Sequence, residues 1–423
     1  MCAILTPSNL KKNFPRAVEA IQNHHYVDDF IDSVDNHQEA IQLAKQVKFI
    51  HAAAGFHIRN WSSNSSEVIN HLEEVHSENQ KPKDLTATEK ILGMYWDPNK
   101  DTFVYIFRFA RLRRNVFTND IIPTKRELLQ VLMSIFDPLG LISCYTTTLK
   151  ILLQEVWRSD IDWDMELIDS LLPKWQKWKT VITHIESVRI PRCYSHHLSE
   201  AANVELHTFT DAGEDAYAAV CYIRVAYQGN YDVIIAAGKS KVAPLKPTSI
   251  PRLELQAAVV GARLANKVQN MQRINFTAKY FWSDSKTVLQ WLRMDPKKFQ
   301  AFVMHRVGEI LETTEVSQWR WVPSKMNPAD LATKVQTHWD VPTWFSGPKF
   351  LHENTSTWPT CNNLGELNKK EIRHHLLHIN ESENIVKFNT EYFSNWRKLY
   401  RAVSTFILYM RKLKARCDRS KPP

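Results

Sequence analysis

Apolar and polar positions alternate over residues 204–211, V-E-L-H-T-F-T-D, where Val204, Leu206, Thr208 and Thr210 form one face of a strand that Asp211 ends. Runs of the same kind, several of them aromatic, predict strands near 216–226, 231–237, 279–283 and 317–322. Leu253, Ala257, Val260, Leu264 and Val268 recur at helical spacing, which predicts a helix from 251 with Glu254 on the flank of its apolar stripe. Helices are expected over 285–294 and 297–314, and Asn327 and Pro328 offer an N-cap and first-turn residue for another. That order predicts a five-stranded mixed sheet with flanking helices, an α/β layer architecture.

Upstream, residues 14–25 have a short helical pattern, and Ala40, Leu43, Ala44, Val47 and Ile50 mark a second helix. Between them Y-V-D-D-F-I-D-S-V (26–34) reads as a strand, a tight turn and a returning strand, with Asp28 and Asp29 at the tip. A strand pair is expected around 92–107, turning at 98–101, and 124–186 reads as helical with a break at D-P-L-G (137–140). Trp157, Trp163, Trp175 and Trp178 in that stretch could stack on bases, but packing between helices is the favoured reading. After Lys334 the pattern loosens into a polar linker over 354–370 and a basic helix over 395–419. His374 and His378, four apart, read as surface residues because no third ligand accompanies them.

At 423 residues the chain exceeds one ordinary domain, and 44% hydrophobic content with 14 Trp supplies material for several cores. A formal charge of +9 favours polyanionic partners. The six cysteines form no C-x-x-C pair, which argues against a zinc ribbon or disulfide scaffold and fits a reducing compartment. No stretch approaches the ~18 apolar residues of a membrane span, and the N-terminal apolar run is short for a signal peptide. An intracellular protein, cytoplasmic or nuclear, with no membrane partner is expected.

Asp211, Glu254, Asp284 and Asp330 each close or open an apolar element, and together they suggest one metal site. Carboxylates suit Mg²⁺, and two-ion phosphodiester hydrolysis needs oxygen ligands gathered around ions about 3.5–4 Å apart. Singly, each acid has an alternative: Asp211 as a turn residue, Glu254 as a solvated helix position, Asp284 as a cap and Asp330 as a first-turn charge. The loop expected over 238–252 carries Lys239, Lys241, Lys246 and Arg252 beside the Glu254 helix, where they could hold a phosphate backbone; incidental solvated charge is the alternative.

The motifs T-D-A (210–212), V-A-P-L-K-P (242–247), R-L-E-L-Q-A-A (252–258), W-S-D-S (282–285) and N-P-A-D-L-A-T (327–333), in this order, resemble the ribonuclease H domain of BEL/Pao-type retrotransposon polyproteins. The Y-V-D-D motif (26–29) resembles the reverse-transcriptase active site, and segments through 124–141 resemble the palm and following region of the same family. The resemblance implies a partial reverse-transcriptase palm over 1–120, a helical thumb- or connection-like segment over 121–200, a ribonuclease H-like domain over 201–338, and a linker with basic tail over 339–423. It implies that Asp211, Glu254, Asp284 and Asp330 bind two Mg²⁺ or Mn²⁺ ions for cleavage of RNA in RNA–DNA hybrids, Asp330 being the more replaceable. It likewise implies that Asp28 and Asp29 are polymerase metal ligands. Only 25 residues precede Tyr26, leaving no room for fingers or the upstream palm aspartate, so the polymerase region is expected to be inactive alone. Other retroelement polyprotein products are expected partners. The alternative is a catalytically inactive, nucleic-acid-binding relic. A transposase-type site would place its glutamate on a late helix, and Glu254 falls on the first.

Overall fold

The computed structural model describes residues 8–27, 29–73, 89–91, 93–109, 112, 114–118, 121–201, 203–335, 339, 341–366, 369–372 and 392–419. The chain separates into two compact units, Met1–Ile372 and Arg373–Pro423.

In the first unit, helices α1 (Ser8–Asn13) and α2 (Pro15–Asn23) lead into a hairpin of β1 (His25–Tyr26) and β2 (Asp29–Phe30). Tyr26 pairs with Asp29, and Val27 in the intervening turn has φ +57, the left-handed conformation such tight turns require. Helix α3 (His37–Ala53) is capped by the Asn36 side chain, which accepts from the Glu39 N–H at 2.9 Å, and it buries Leu43, Val47 and Ile50 against Ala17, Val18 and Ile21 of α2. Beyond α4 (Ser66–Glu73) come β3 (Glu89–Ile91), β4 (Met94–Asp97) and β5 (Thr102–Val104), the last two turning as expected at 98–101. These three strands form one sheet with β6 (Arg189–Pro191), a short piece without readable periodicity that the sequence did not mark.

Helix α5 (Lys125–Ser134) opens on a reciprocal capping box between Thr124 and Glu127. The break before α6 (Ser143–Arg158) is held by Asp137, whose carboxylate accepts from the Leu141 and Ile142 N–H groups at 2.9 and 3.0 Å. Gly140, at φ +71, lies so close to Gly238 that a Cβ would sit 1.9 Å from the Gly238 carbonyl oxygen. The two glycines let the Gly238 N–H donate to the Leu139 carbonyl at 2.8 Å, stitching the helical segment onto the next sheet. Helices α7 (Leu172–Lys179) and α8 (Val181–Ser187) follow. Trp175 and Trp178 are fully buried, whereas Trp157 and Trp163 are partly exposed and pack edge-to-face on each other at 5.1 Å.

The central sheet consists of β7 (Asn203–Ala212), β8 (Ala216–Tyr227), β9 (Asn230–Val242), β10 (Ala278–Ser283) and β11 (Trp319–Trp321) in the order β11-β10-β7-β8-β9. The first three run antiparallel, and β10 and β11 join parallel. On one face lie α9 (Ile250–Met271), α10 (Lys286–Leu292) and α11 (Ala301–Thr313), packed through Leu255, Ala258, Ala262, Val288, Val303 and Val307. The other face, with Phe209, Val220, Tyr222, Ile235 and Trp282, shares a core with α6 and α7. The sheet is therefore covered on both sides, and β7 is buried from Val204 onward.

The structure corrects three expectations. Strand β9 runs on to Val242, so Lys239 and Lys241 belong to a strand and not to a loop: K-S-K-V continues the alternation, lysines outward and Ser240 inward. The helix expected over 297–314 is a 3₁₀ turn at Pro296–Lys298 followed by α11. The loosened pattern after Lys334 conceals well-packed chain: Trp344, Phe350, Leu351 and Trp358 close the sheet's second face from α12 (Pro342–Ser346) and two 3₁₀ turns. That covering is pinned by Arg224, which forms an ion pair with Glu205 at 2.6 Å and donates to the Leu351 and Glu353 carbonyls. The second unit contributes α13 (Trp396–Arg419), an amphipathic helix. His374 and His378 lie outside the described residues. Among the described residues no helix is long and apolar enough to cross a membrane.

Candidate metal centre

Strands β7 and β10 are parallel neighbours, with Ser283 opposite Thr210, so the acids that follow, Asp211 and Asp284, emerge side by side at the same sheet end. Ser285, not Asp284, caps α10: its hydroxyl accepts from the Val288 N–H, which leaves the Asp284 carboxylate to the sheet edge. Helix α9 crosses this end with Pro251 in its first turn and brings Glu254 down onto it. One carboxylate oxygen from each of Asp211, Glu254 and Asp284 lies within 4.8 Å of the others. This gathering is the only such cluster of His, Cys, Asp and Glu side chains among the described residues.

Such crowding of anions away from water is costly, and the protonation equilibria show it. Burial, then the neighbouring charges of Asp211 and Asp284, pushes Glu254 up to about 9, eased by the Ala212 backbone N–H. Burial and the Asp284 charge push Asp211 up to about 7, opposed by the Thr333 hydroxyl, which donates to its carboxylate. Glu254 Oε2 and Asp284 Oδ1 are buried without a hydrogen-bond partner. Carboxylate oxygens so gathered and so unpartnered fit a divalent cation, which hard oxygen ligands suit and which would remove their mutual repulsion.

Asp330 falls in the 3₁₀ turn Pro328–Ala332, outside that trio of ligand atoms, and pairs with Lys334. Its charge still reaches the trio, raising both Asp211 and Glu254. The turn is locked to β7 by Asn327, whose Nδ2 donates to the Thr210 carbonyl at 3.0 Å while its Oδ1 caps Ala329. Ser324 donates to Asp284. In the sequence Asn327 reads only as a helix cap, and neither Ser324 nor Thr333 stands out as a site residue. Thr333 ends the N-P-A-D-L-A-T stretch, so the signal for it was present.

Of the remaining candidate residues, Asp29 is exposed on the separate β1–β2 hairpin and does not join the trio, and Asp28 lies outside the described residues. Lys239, Lys241 and Lys246 are exposed, while Arg252 is committed to Glu371 by two hydrogen bonds of 2.7 and 3.0 Å.

A sheet of this order, with acids closing two parallel neighbours and a third on the first crossing helix, defines a ribonuclease H-like α/β domain. Residues 124–285 match the family described as the Pao retrotransposon-like RNaseH-like domain, a stretch that holds Asp211, Glu254 and Asp284. Among solved structures the chain is similar to the N-terminal RNase H domain of a Mycobacterium tuberculosis protein fused to maltose-binding protein, at 16% identity over 31% of this chain and 91% of that one, TM-score 0.24. It is also similar to RNase H1 of the archaeon Halobacterium salinarum, at 13% identity over 30% and 91%, TM-score 0.21. No curated protein matches the sequence.

Proposed function

We propose that this protein cleaves the RNA strand of RNA–DNA hybrids in a reaction that depends on divalent cations, Mg²⁺ or Mn²⁺, held by Asp211, Glu254 and Asp284, with Asp330 at the rim. The observation that carries the proposal is the convergence of three carboxylates, remote in sequence, on one point with buried oxygens left unpartnered. When bound, a pair of such ions supplies Lewis acidity and charge neutralisation for in-line phosphodiester hydrolysis. The chain's own part is positional. Thr333 and Ser324 orient the carboxylates of Asp211 and Asp284, and Asn327 ties the Asp330 turn to β7. Exposed Lys239, Lys241 and Lys246 offer cations to a phosphate backbone. Recognition of RNA in such a duplex rests on 2′-hydroxyl contacts in the minor groove.

The β1–β2 hairpin is read as a palm-derived element that contributes nothing to this cleavage. The reading is tested by incubating the protein with a labelled RNA–DNA hybrid and Mg²⁺ beside an Asp284→Asn variant. Cleavage by the native chain alone supports it. Binding without cleavage by either protein defeats it in favour of a binding relic.

A further inference from the structure

In α13 of the second unit, Trp396, Leu399, Val403, Phe406, Met410 and Leu413 recur at alternating steps of three and four, the a and d positions of a heptad repeat. Tyr400 and Ile407 border that seam on one side, Ala402 and Tyr409 on the other. Arg397, Lys398, Arg401, Arg411 and Lys412 stand opposite it, and Lys414 adjoins it. No Asp or Glu falls between 392 and 417.

The helix depends on its apolar face. Its middle, V-S-T-F-I (403–407), consists of weak helix formers, so packing of the stripe must supply the stability that propensity does not. Yet Trp396, Tyr400, Phe406, Ile407, Tyr409, Met410 and Leu413 are between 37% and 74% exposed. At about 200 Å² for a large side chain laid bare, these fractions amount to roughly 750 Å² per helix. Covering most of that on two helices buries more than about 1,000 Å², the size a specific interface needs.

The charges favour a second copy of the same helix. Partner choice in a coiled coil is made at the positions bordering the seam, and there Tyr400, Ala402, Ile407 and Tyr409 bring no charge that an identical chain would repel. A helix lying on an anionic membrane gains most from cations at the borders of its stripe, where long side chains reach the headgroups. In α13 five of the cations face away from the stripe instead.

We infer that α13 is a self-association helix, through which two copies of this chain join by packing their Trp396–Leu413 seams together with the basic faces outward. The inference goes beyond the cleavage reaction and does not draw on it.

The test is sedimentation velocity of the full chain in EDTA from roughly 1 to roughly 50 µM, at low and high salt. The native chain is compared with Met410→Asp, Lys412→Glu and the double variant Phe406→Leu with Met410→Ile. At the upper concentrations the native chain is expected at twice 49.3 kDa, and salt should not weaken an apolar seam. Met410→Asp puts a charge into the seam and should weaken association at least about 100-fold. Lys412→Glu, on the outer face, should leave it within about twofold. The double variant supplies Leu at d and a β-branched residue at a, which two-stranded pairs favour, and should tighten association about tenfold, a gain that a misfolded variant does not give. A native chain that stays at 49.3 kDa throughout overturns the inference. So does a dimer that Met410→Asp leaves intact, which would place the contact elsewhere in the chain. Flotation of a monomeric native chain with phosphatidylserine-containing vesicles, lost in Met410→Asp, would overturn it in favour of a membrane surface.

Discussion

Replacing Glu254 by Gln should make the metal-free protein more stable while abolishing its proposed activity. Glu254 is raised from an ordinary 4.5 to about 9 in the folded chain, so between those values the folded state holds a proton that the unfolded state has released. Stability then falls as pH rises, by about 1.4 kcal/mol per pH unit, and is greatest below the unfolded value. From 4.5 to pH 8 the cost would reach about 5 kcal/mol for an isolated group. Burial supplies most of that cost and the charges of Asp211 and Asp284 the rest, and because the coupling is shared with Asp211, itself raised to about 7, the share removed by Glu254→Gln alone is on the order of 3 kcal/mol. The assay is urea unfolding in EDTA at pH 5 and pH 8. The native chain should lose stability between those conditions relative to the variant, and Mg²⁺ or Mn²⁺ should restore the native chain at pH 8 and do little for the variant. A Glu254→Gln protein no more stable than the native one at pH 8 without metal, or one stabilised equally by the ion, would refute the claim that Glu254 is buried beside two other acids in a shared metal site.

Thr333→Val removes the hydroxyl that orients Asp211, and cleavage should need about tenfold more Mg²⁺, with Thr333→Ser restoring it; a metal titration of the cleavage rate decides. Gly140→Ala forces a Cβ to within 1.9 Å of the Gly238 carbonyl oxygen at φ +71, and should cost more than about 3 kcal/mol in chemical denaturation. Glu205→Gln leaves Arg224 buried with a neutral partner and should cost about 3 kcal/mol by the same measurement, loosening the 343–358 covering so that proteolysis there quickens.

What was legible in the sequence follows from where each signal is local. The strand pattern of 204–211 and the helix from 251 are written in consecutive side chains, so the elements that deliver Asp211 and Glu254 could be read, as could Asp284 at the close of an aromatic strand. Their meeting depends on the parallel pairing of β7 with β10, a contact across more than seventy residues whose register no local pattern states. Residues 343–358 escaped for a related reason: Trp344, Phe350 and Trp358 stand on short turns with no period, so each looks like a stray aromatic until Arg224 and the sheet's second face are in view.

The same locality explains why Lys239 and Lys241 read as loop residues in the sequence. Positive charge in a Pro-bounded stretch reads as solvated, yet outward lysines on an edge strand also protect its unpaired backbone from pairing with another chain. On β9 the two demands coincide with a third, because the outward direction at Lys241 is also the side of the sheet on which α9 carries Glu254. Substitution of Lys241 by a neutral residue therefore tests more than charge. If the lysine served only to guard the edge, its loss would promote self-association and leave the salt dependence of hybrid binding untouched, whereas a phosphate ligand at that position must change the salt dependence in the monomer.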